Sequence, residues 1–257
     1  APHFNLLIPD PVDEVRIDFE DWKEADWSPA NGRWAVRTVE DAPSGTHVLE
    51  RAVLDASSPA FVWSGDEFAD VEVSARFRVL GGQPTEIGIV LRQTEGSYYV
   101  FRVDLEKGTT RLNGVEKGTI TQWGTSMSSS FRFPAGAWHT LTAIAIGDDL
   151  ECRVDSTPRC ASRQSRFKKG NVGIWWMGGN AVQVDDFLIR TRATALDVFD
   201  GLDWEGVSAV ARERFFVRAN SEDCPCGSKR RLARCRRAGC AKALEQGRDV
   251  LEQCEGE

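Results

Sequence analysis

Six residues of this 257-residue chain have the chemistry to hold a polyhydroxylated ring: Arg76, Arg92, Arg102, Asp104, Trp123 and Trp175. A pyranose offers an apolar C–H face that stacks on an indole, and neighbouring hydroxyls that suit a guanidinium fork or a carboxylate. In alternating strands Arg76, Arg92, Arg102 and Asp104 fall opposite the apolar positions, so the four are expected together on one open sheet. Trp123 stands in a polar Gly- and Ser-rich stretch, where an indole has little structural purpose. Trp175 and Trp176 are neighbours on a strand, so one of them must face away from the core. The set points to a saccharide or polysaccharide ligand; the competing reading is a solvated sheet face with partly buried indoles.

A second group carries hard oxygen donors. Asp18 and Glu20 lie at the first strand and Asp185 and Asp186 at the last, and where those two strands run side by side the four acids can supply a calcium site. An acidic pair at a strand end also serves simply to protect a sheet edge. Histidine gives no constellation: His3, His47 and His139 are dispersed, and no Ser-His-Asp or Cys-His spacing is legible.

The elements that must position these groups are strands. From about residue 14 to residue 192 short β-branched and aromatic runs alternate apolar with polar and are punctuated by Gly, Pro, Asn and Asp. A dozen such runs with no intervening helices predict an antiparallel, all-β sandwich. Val71–Val79 is the clearest, one face apolar and one charged, so a one-residue slip would bury Glu72, Arg76 and Arg78. Leu150–Asp155, the turn Ser156-Thr157-Pro158 and Arg159-Cys160 predict a hairpin that faces Cys152 against Cys160, with a disulfide between them.

After Thr191 the pattern changes to helical spacing. Asp203 can cap a helix with Trp204, Val207, Ala211 and Phe215 on one stripe. Ser228 can cap a second with Leu232, Cys235, Leu244, Leu251 and Cys254 inward, interrupted near Gly239. The expected division is 1–192 for the sandwich and 193–257 for a small α-helical, cysteine-rich C-terminal extension.

Seven cysteines, five of them between Cys224 and Cys254, predict a covalent or metal-held framework and a secreted or periplasmic location. The net charge of -7 opposes attraction to nucleic acid or an anionic membrane, and no apolar run reaches the ~18 residues of a membrane span. Lys229-Arg230-Arg231 with Arg234, Arg236 and Arg237 is a concentrated basic stretch, either a solvated helix or a grip for an acidic polymer or a neighbouring acidic protein chain.

The order Asp18-Phe19-Glu20, Gly32-Arg33-Trp34-Ala35-Val36, Asp70-Val71-Glu72-Val73, Gly88-Ile89-Val90-Leu91-Arg92, Tyr98-Tyr99-Val100, Trp138-His139, Gly173-Ile174-Trp175 and Val184-Asp185-Asp186-Phe187 resembles the concanavalin A-like jelly rolls of bacterial secreted proteins. Within them it is similar to the laminin-G-like and 3-keto-disaccharide hydrolase-like group. The resemblance implies a jelly roll and a sugar-related role over residues 14–192. Hydrolytic members with a Glu-x-Asp-x-x-Glu strand place their carboxylates on alternate residues of one face. Here Glu72, Glu86 and Glu151 each lack a carboxylate two residues on, and Thr85-Glu86-Ile87-Gly88 replaces the Asn-Ser-Gly of the keto-sugar group. Both departures favour non-catalytic binding over hydrolysis. A structural or assembly role through the tail is the third reading.

The tail resembles a terminal zinc motif of bacterial secretion proteins through Cys224, Cys226 and Cys235, but Arg236 stands where the fourth ligand belongs and Cys240 would have to replace it. Zinc and disulfides both remain open for these four cysteines.

Overall fold

A computed structural model of the chain describes residues 11–28, 34–51, 60–81, 85–122, 133–179, 181–192, parts of 202–218, and 241–256. Trp123, Cys224, Cys226, Cys235, Cys240 and the basic stretch from Lys229 to Arg237 lie outside the described residues. Two compact units are present, one taking Asp13–Thr191 and the other Arg192–Glu257.

The first unit is the expected all-β sandwich. Its strands are β1 (Pro11–Ile17), β2 (Trp27–Ser28), β3 (Trp34–Thr38), β4 (His47–Arg51), β5 (Ala60–Trp63), β6 (Val71–Leu80), β7 (Thr85–Thr94), β8 (Ser97–Asp104), β9 (Thr109–Glu116), β10 (Thr119–Gln122), β11 (His139–Ile146), β12 (Asp149–Val154), β13 (Thr157–Arg163), β14 (Asn171–Gly178) and β15 (Ala181–Arg192). An eight-stranded sheet runs β13-β12-β11-β6-β15-β4-β3, with β1 added on β15, and a seven-stranded sheet runs β10-β9-β8-β7-β14-β5-β2. The registered ladders are antiparallel, as the alternation requires.

Inward residues of both sheets make one core. Val71, Val73, Ala75 and Phe77 of β6 face Ile87, Ile89, Tyr99, Phe101, Val103 and Ile174 of the other layer. Removing these side chains from water supplies the main stabilisation, about 1.5–3 kcal/mol for each large aliphatic or aromatic group. Arg51 is buried in this interior, its guanidinium 4.6 Å from the Trp176 ring and 5.5 Å from that of Trp34.

The consecutive strands β7, β8, β9 and β10 form a meander in the seven-stranded sheet, whereas β6 lies in the eight-stranded one. That crossing separates Arg76 from Arg102 and Asp104, so the expectation of a single shared face is corrected. Sequence alternation assigns a residue to a face of its own strand, but not its strand to a sheet.

In the second unit the helix α1 (Ala241–Glu255) buries Val250, Leu251 and Cys254 at helical spacing. Val207, Ala211 and Phe215 are likewise buried. No helix among the described residues is long and apolar enough to cross a membrane.

Candidate functional site

The seven-stranded sheet packs against the main core on one face; its other face holds a second buried apolar cluster, Val62, Val90, Tyr98, Val100, Val115 and Trp175, with a polar group beside it. On β8, Tyr98, Val100, Arg102 and Asp104 alternate outward while Tyr99, Phe101 and Val103 enter the core. Antiparallel register then fixes their neighbours. Arg102 lies opposite Gly88 on one side and Arg111 on the other, and Gly88 lies opposite Trp175 on β14. Asp104 lies opposite Glu86, and Val100 opposite Asn113.

Arg102 is the hub of this face. It donates from Nη1 to Glu86 Oε2 at 2.7 Å and from Nε to Asn113 Oδ1 at 3.0 Å, and its guanidinium stands 5.3 Å from the Trp175 ring. The side chain reaches that indole across Gly88, where an added Cβ would come within 2.1 Å of the Phe101 carbonyl oxygen. Burial pulls the Arg102 pKa down from the usual arginine range, while Glu86 opposes the shift. Arg102 and Asp104 are 7% and 6% exposed and Trp175 is fully buried. The aromatic member of the cluster is therefore a support behind the arginine, not the exposed stacking platform expected from the sequence.

Asp104 accepts from the Lys107 backbone N–H at 3.0 Å and from Lys107 Nζ at 3.1 Å. Burial pushes its carboxyl up, but the Lys107 contacts and Arg111 outweigh that and hold it below the usual aspartate range. It is ionised at neutral pH. Two carboxylates, two arginines, a lysine and an amide thus converge on one end of the β7–β9 meander.

Glu86 is the member that sequence reasoning missed. A carboxylate triplet along one strand would be legible from alternation, whereas the partner of Glu86, Asp104, comes from the next strand. The only sequence signal was its polar position in the otherwise apolar run Thr85–Leu91.

The other predicted residues go elsewhere. Arg92 takes a positive φ of 52°, and the β7 ladder shifts register between Leu91 and Thr94. This bulge turns the side chain off the outer face. It donates to the carbonyls of Ala69, at 2.9 and 2.7 Å, of Phe167 at 2.9 Å and of Gly147 at 2.8 Å, with Asp70 at 3.6 Å. Arg92 is 1% exposed and ties three loops together, so its assignment to a ligand surface is corrected. Arg76 lies on the outer face of the eight-stranded sheet, paired with Asp186 at 3.2 Å.

The four acids expected to share calcium are engaged separately. Asp18 accepts from the Glu20 N–H at 3.2 Å. Glu20 accepts from the backbone of Thr46 and His47 at 2.6 and 2.8 Å and contacts His47 Nδ1 at 2.6 Å. Asp185 accepts from Ser44 through its backbone N–H and hydroxyl, at 2.8 and 2.9 Å, and Asp186 faces Arg76. Among the described residues no group of three or more His, Cys, Asp or Glu is arranged to hold a metal ion.

Cys152 and Cys160 are direct Cα partners across β12 and β13, both buried in the core. They stand as thiols in the structure, where the expectation was a bridge. Burial first, then the Cys160 side chain, raises the Cys152 pKa well above the ordinary thiol range.

The family model described as "3-keto-alpha-glucoside-1,2-lyase-like domain" matches residues 13–190. Among solved structures the chain is similar to carbohydrate binding module CBM66 from Bacillus subtilis, at 14% identity and a TM-score of 0.53, over 65% of this chain and 96% of that one. It is also similar to a Bacillus subtilis protein of unknown function with a galectin-like fold, at 12% identity and a TM-score of 0.51, over 73% of this chain and 98% of that one. At such identities the likeness establishes the fold. No curated protein matches the chain.

Proposed function

The chain belongs to the 3-keto-alpha-glucoside-1,2-lyase-like domain family, and from that premise we propose that it binds a glucoside-type saccharide at the outer end of the β7–β9 meander. The observation that carries this reading is the opposed pair Glu86 and Asp104, bracketed by Arg102 and Arg111. Alternating carboxylates and guanidinia give acceptors and donors at the spacing of neighbouring sugar hydroxyls, and Arg102 is already oriented by Asn113 and Trp175, so little side-chain entropy is lost on binding. The carbohydrate binding module with this fold supports the same ligand class.

A second reading, cleavage of the glycoside, is favoured by the family's name together with the ionised state of Asp104. A ketone at C3 acidifies the C2 proton; a carboxylate base can take it while the C1–O bond breaks and the leaving oxygen receives a proton. Acid and base in such a pair need pKa values moved apart. Asp104 is shifted only in the direction that suits a base. Binding is therefore the primary reading. Residence in an oxidising compartment belongs to the same proposal and is supported by the seven cysteines.

Calorimetric titration of the full chain with a 3-keto-α-glucoside and with the parent α-glucoside tests this. Saturable binding that falls about tenfold or more, ~1.4 kcal/mol, in Glu86→Gln and Asp104→Asn is expected. Equal affinity in wild type and both variants would remove the site. Release of free alcohol from the keto-glucoside alone would move the assignment to the second reading.

A further inference from the structure

The outer face of the eight-stranded sheet holds a depression of about 290 Å³. This is close to the lower bound of small-molecule sites. Its floor is set by register. Arg76 lies opposite Thr140, Ser74 opposite Thr142, and Thr142 opposite Arg153, which brings two arginines and three hydroxyls onto adjacent strands.

A backbone irregularity completes it. The β15 ladder shifts register between Asp185 and Leu188, and Asp186 adopts a positive φ of 48°. A non-glycine residue in that region is strained and persists where the surroundings enforce it, commonly at binding sites. The Asp186 carboxylate enters the depression with Oδ2 3.2 Å from Arg76 Nε. Its Oδ1 accepts no hydrogen bond among the described residues and lies 4.0 Å from Arg16 Nη1.

The arginines here differ from Arg92, whose donors are spent on backbone carbonyls. Among the described residues Arg76 makes its polar contact through Nε, and Arg153 through Nε to Glu151 Oε1 at 2.6 Å. Among the described residues the terminal nitrogens of Arg76 and Arg153 carry no protein hydrogen bond, and Arg16 has only the long contact to Asp186. Four arginines line the depression; Arg190 is paired with Glu72 and Glu14, Arg153 with Glu151 and Arg76 with Asp186, so the charges around it balance and its pull on an anion rests on the unspent terminal nitrogens of Arg76 and Arg153. No aromatic ring lines it, which leaves nothing for the apolar face of a neutral sugar to stack on.

We propose that this depression is a second saccharide site, specific for a uronate. The sugar carboxylate takes the unspent nitrogens of Arg76 and Arg153 in the fork geometry that guanidinium favours. The ring hydroxyls meet Thr140 and Ser156. Asp186 acts as an internal counter-ion that keeps Arg76 oriented in the empty site and competes with the ligand charge. The site lies on the sheet opposite the Glu86–Asp104 face, and it stands or falls independently of that reading.

The test is titration of the full chain with α-1,4-trigalacturonate, with the neutral trigalactoside, and with sodium sulfate, at two salt concentrations. The uronate is expected to bind saturably, more weakly at the higher salt, and at least about tenfold more tightly than the neutral sugar. Arg76→Gln and Arg153→Gln each weaken it about tenfold, while Asp186→Asn strengthens it several-fold by releasing Arg76. The opposite sign at Asp186 separates this from a mere loss of fold. Equal affinity for uronate and neutral sugar, full competition by sulfate at the uronate's own concentration, or weaker binding in Asp186→Asn with both arginine variants unchanged would overturn the proposal.

Discussion

Glu86 on β7 and Asp104 on β8 are direct register partners, two carboxylates opposed across the end of an antiparallel ladder. Like charges in that relation cost about 0.2–1 kcal/mol, and the sheet offsets the cost with a private cation for each, Arg102 for Glu86 and Lys107 for Asp104. An arrangement that needs two compensating cations is more simply replaced by apolar residues if its only purpose is stability.

The compensation predicts an asymmetry between two substitutions. Glu86→Ala leaves the nearly buried Arg102 without its carboxylate and is expected to lower unfolding free energy by about 3 kcal/mol. Glu86→Gln keeps an acceptor in place and costs about 1 kcal/mol. Urea denaturation of both variants measures the difference.

Arg92 is predicted to matter for stability and not for ligand. Arg92→Ala strands the carbonyls of Ala69, Phe167 and Gly147 and should destabilise by about 3–5 kcal/mol, and Arg92→Lys should recover little because a single ammonium cannot span three loops. Any molecules that remain folded bind saccharide with wild-type affinity, which titration after thermal screening checks.

Acid is predicted to open the junction between the segments around Glu20 and His47. The Thr46 N–H first, then the His47 side chain, lower the Glu20 pKa from 4.5 to about 2. Because the folded value is the lower one, this contribution is fully present above pH 4.5 and is lost as pH falls toward 2. The fitted stability of Glu20→Gln should therefore lose the part of the wild-type acid dependence that lies in that window. An unchanged pH profile would show that the contact carries nothing.

Cys152 and Cys160 are predicted to resist alkylation in the folded, reduced protein, since burial holds the Cys152 thiol protonated far above neutral pH. Iodoacetamide at pH 8, followed by mass spectrometry, should label neither until denaturant is added. Oxidative refolding from the reduced, unfolded chain should join them, because the hairpin sets them face to face.

How far the sequence reaches depends on whether a feature is local. The two-residue period of Val71–Val79 specified both faces of β6, and the Cys152–Cys160 hairpin followed from one turn. Arg92 escaped because a bulge reverses the facing that alternation assigns, and nothing in Leu91-Arg92-Gln93 announces a positive φ. The pair Glu86 and Asp104 escaped because register between strands is a non-local quantity. Alternation requires one of Trp175 and Trp176 to face away from the main core without saying which; it is Trp175, and its complete burial depends on what surrounds it in three dimensions. Arg76 and Arg102 were grouped by identical strand patterns and separated by the passage from β6 to β7 between the two sheets.

Hydrogen–deuterium exchange of the full chain with and without a 3-keto-α-glucoside tests the central claim most directly, because it reports where ligand sits without altering a residue. Slower exchange confined to β7, β8 and β9, and abolished in Glu86→Gln, is the predicted result. Protection that falls on other strands, or that persists unchanged in Glu86→Gln, would contradict it.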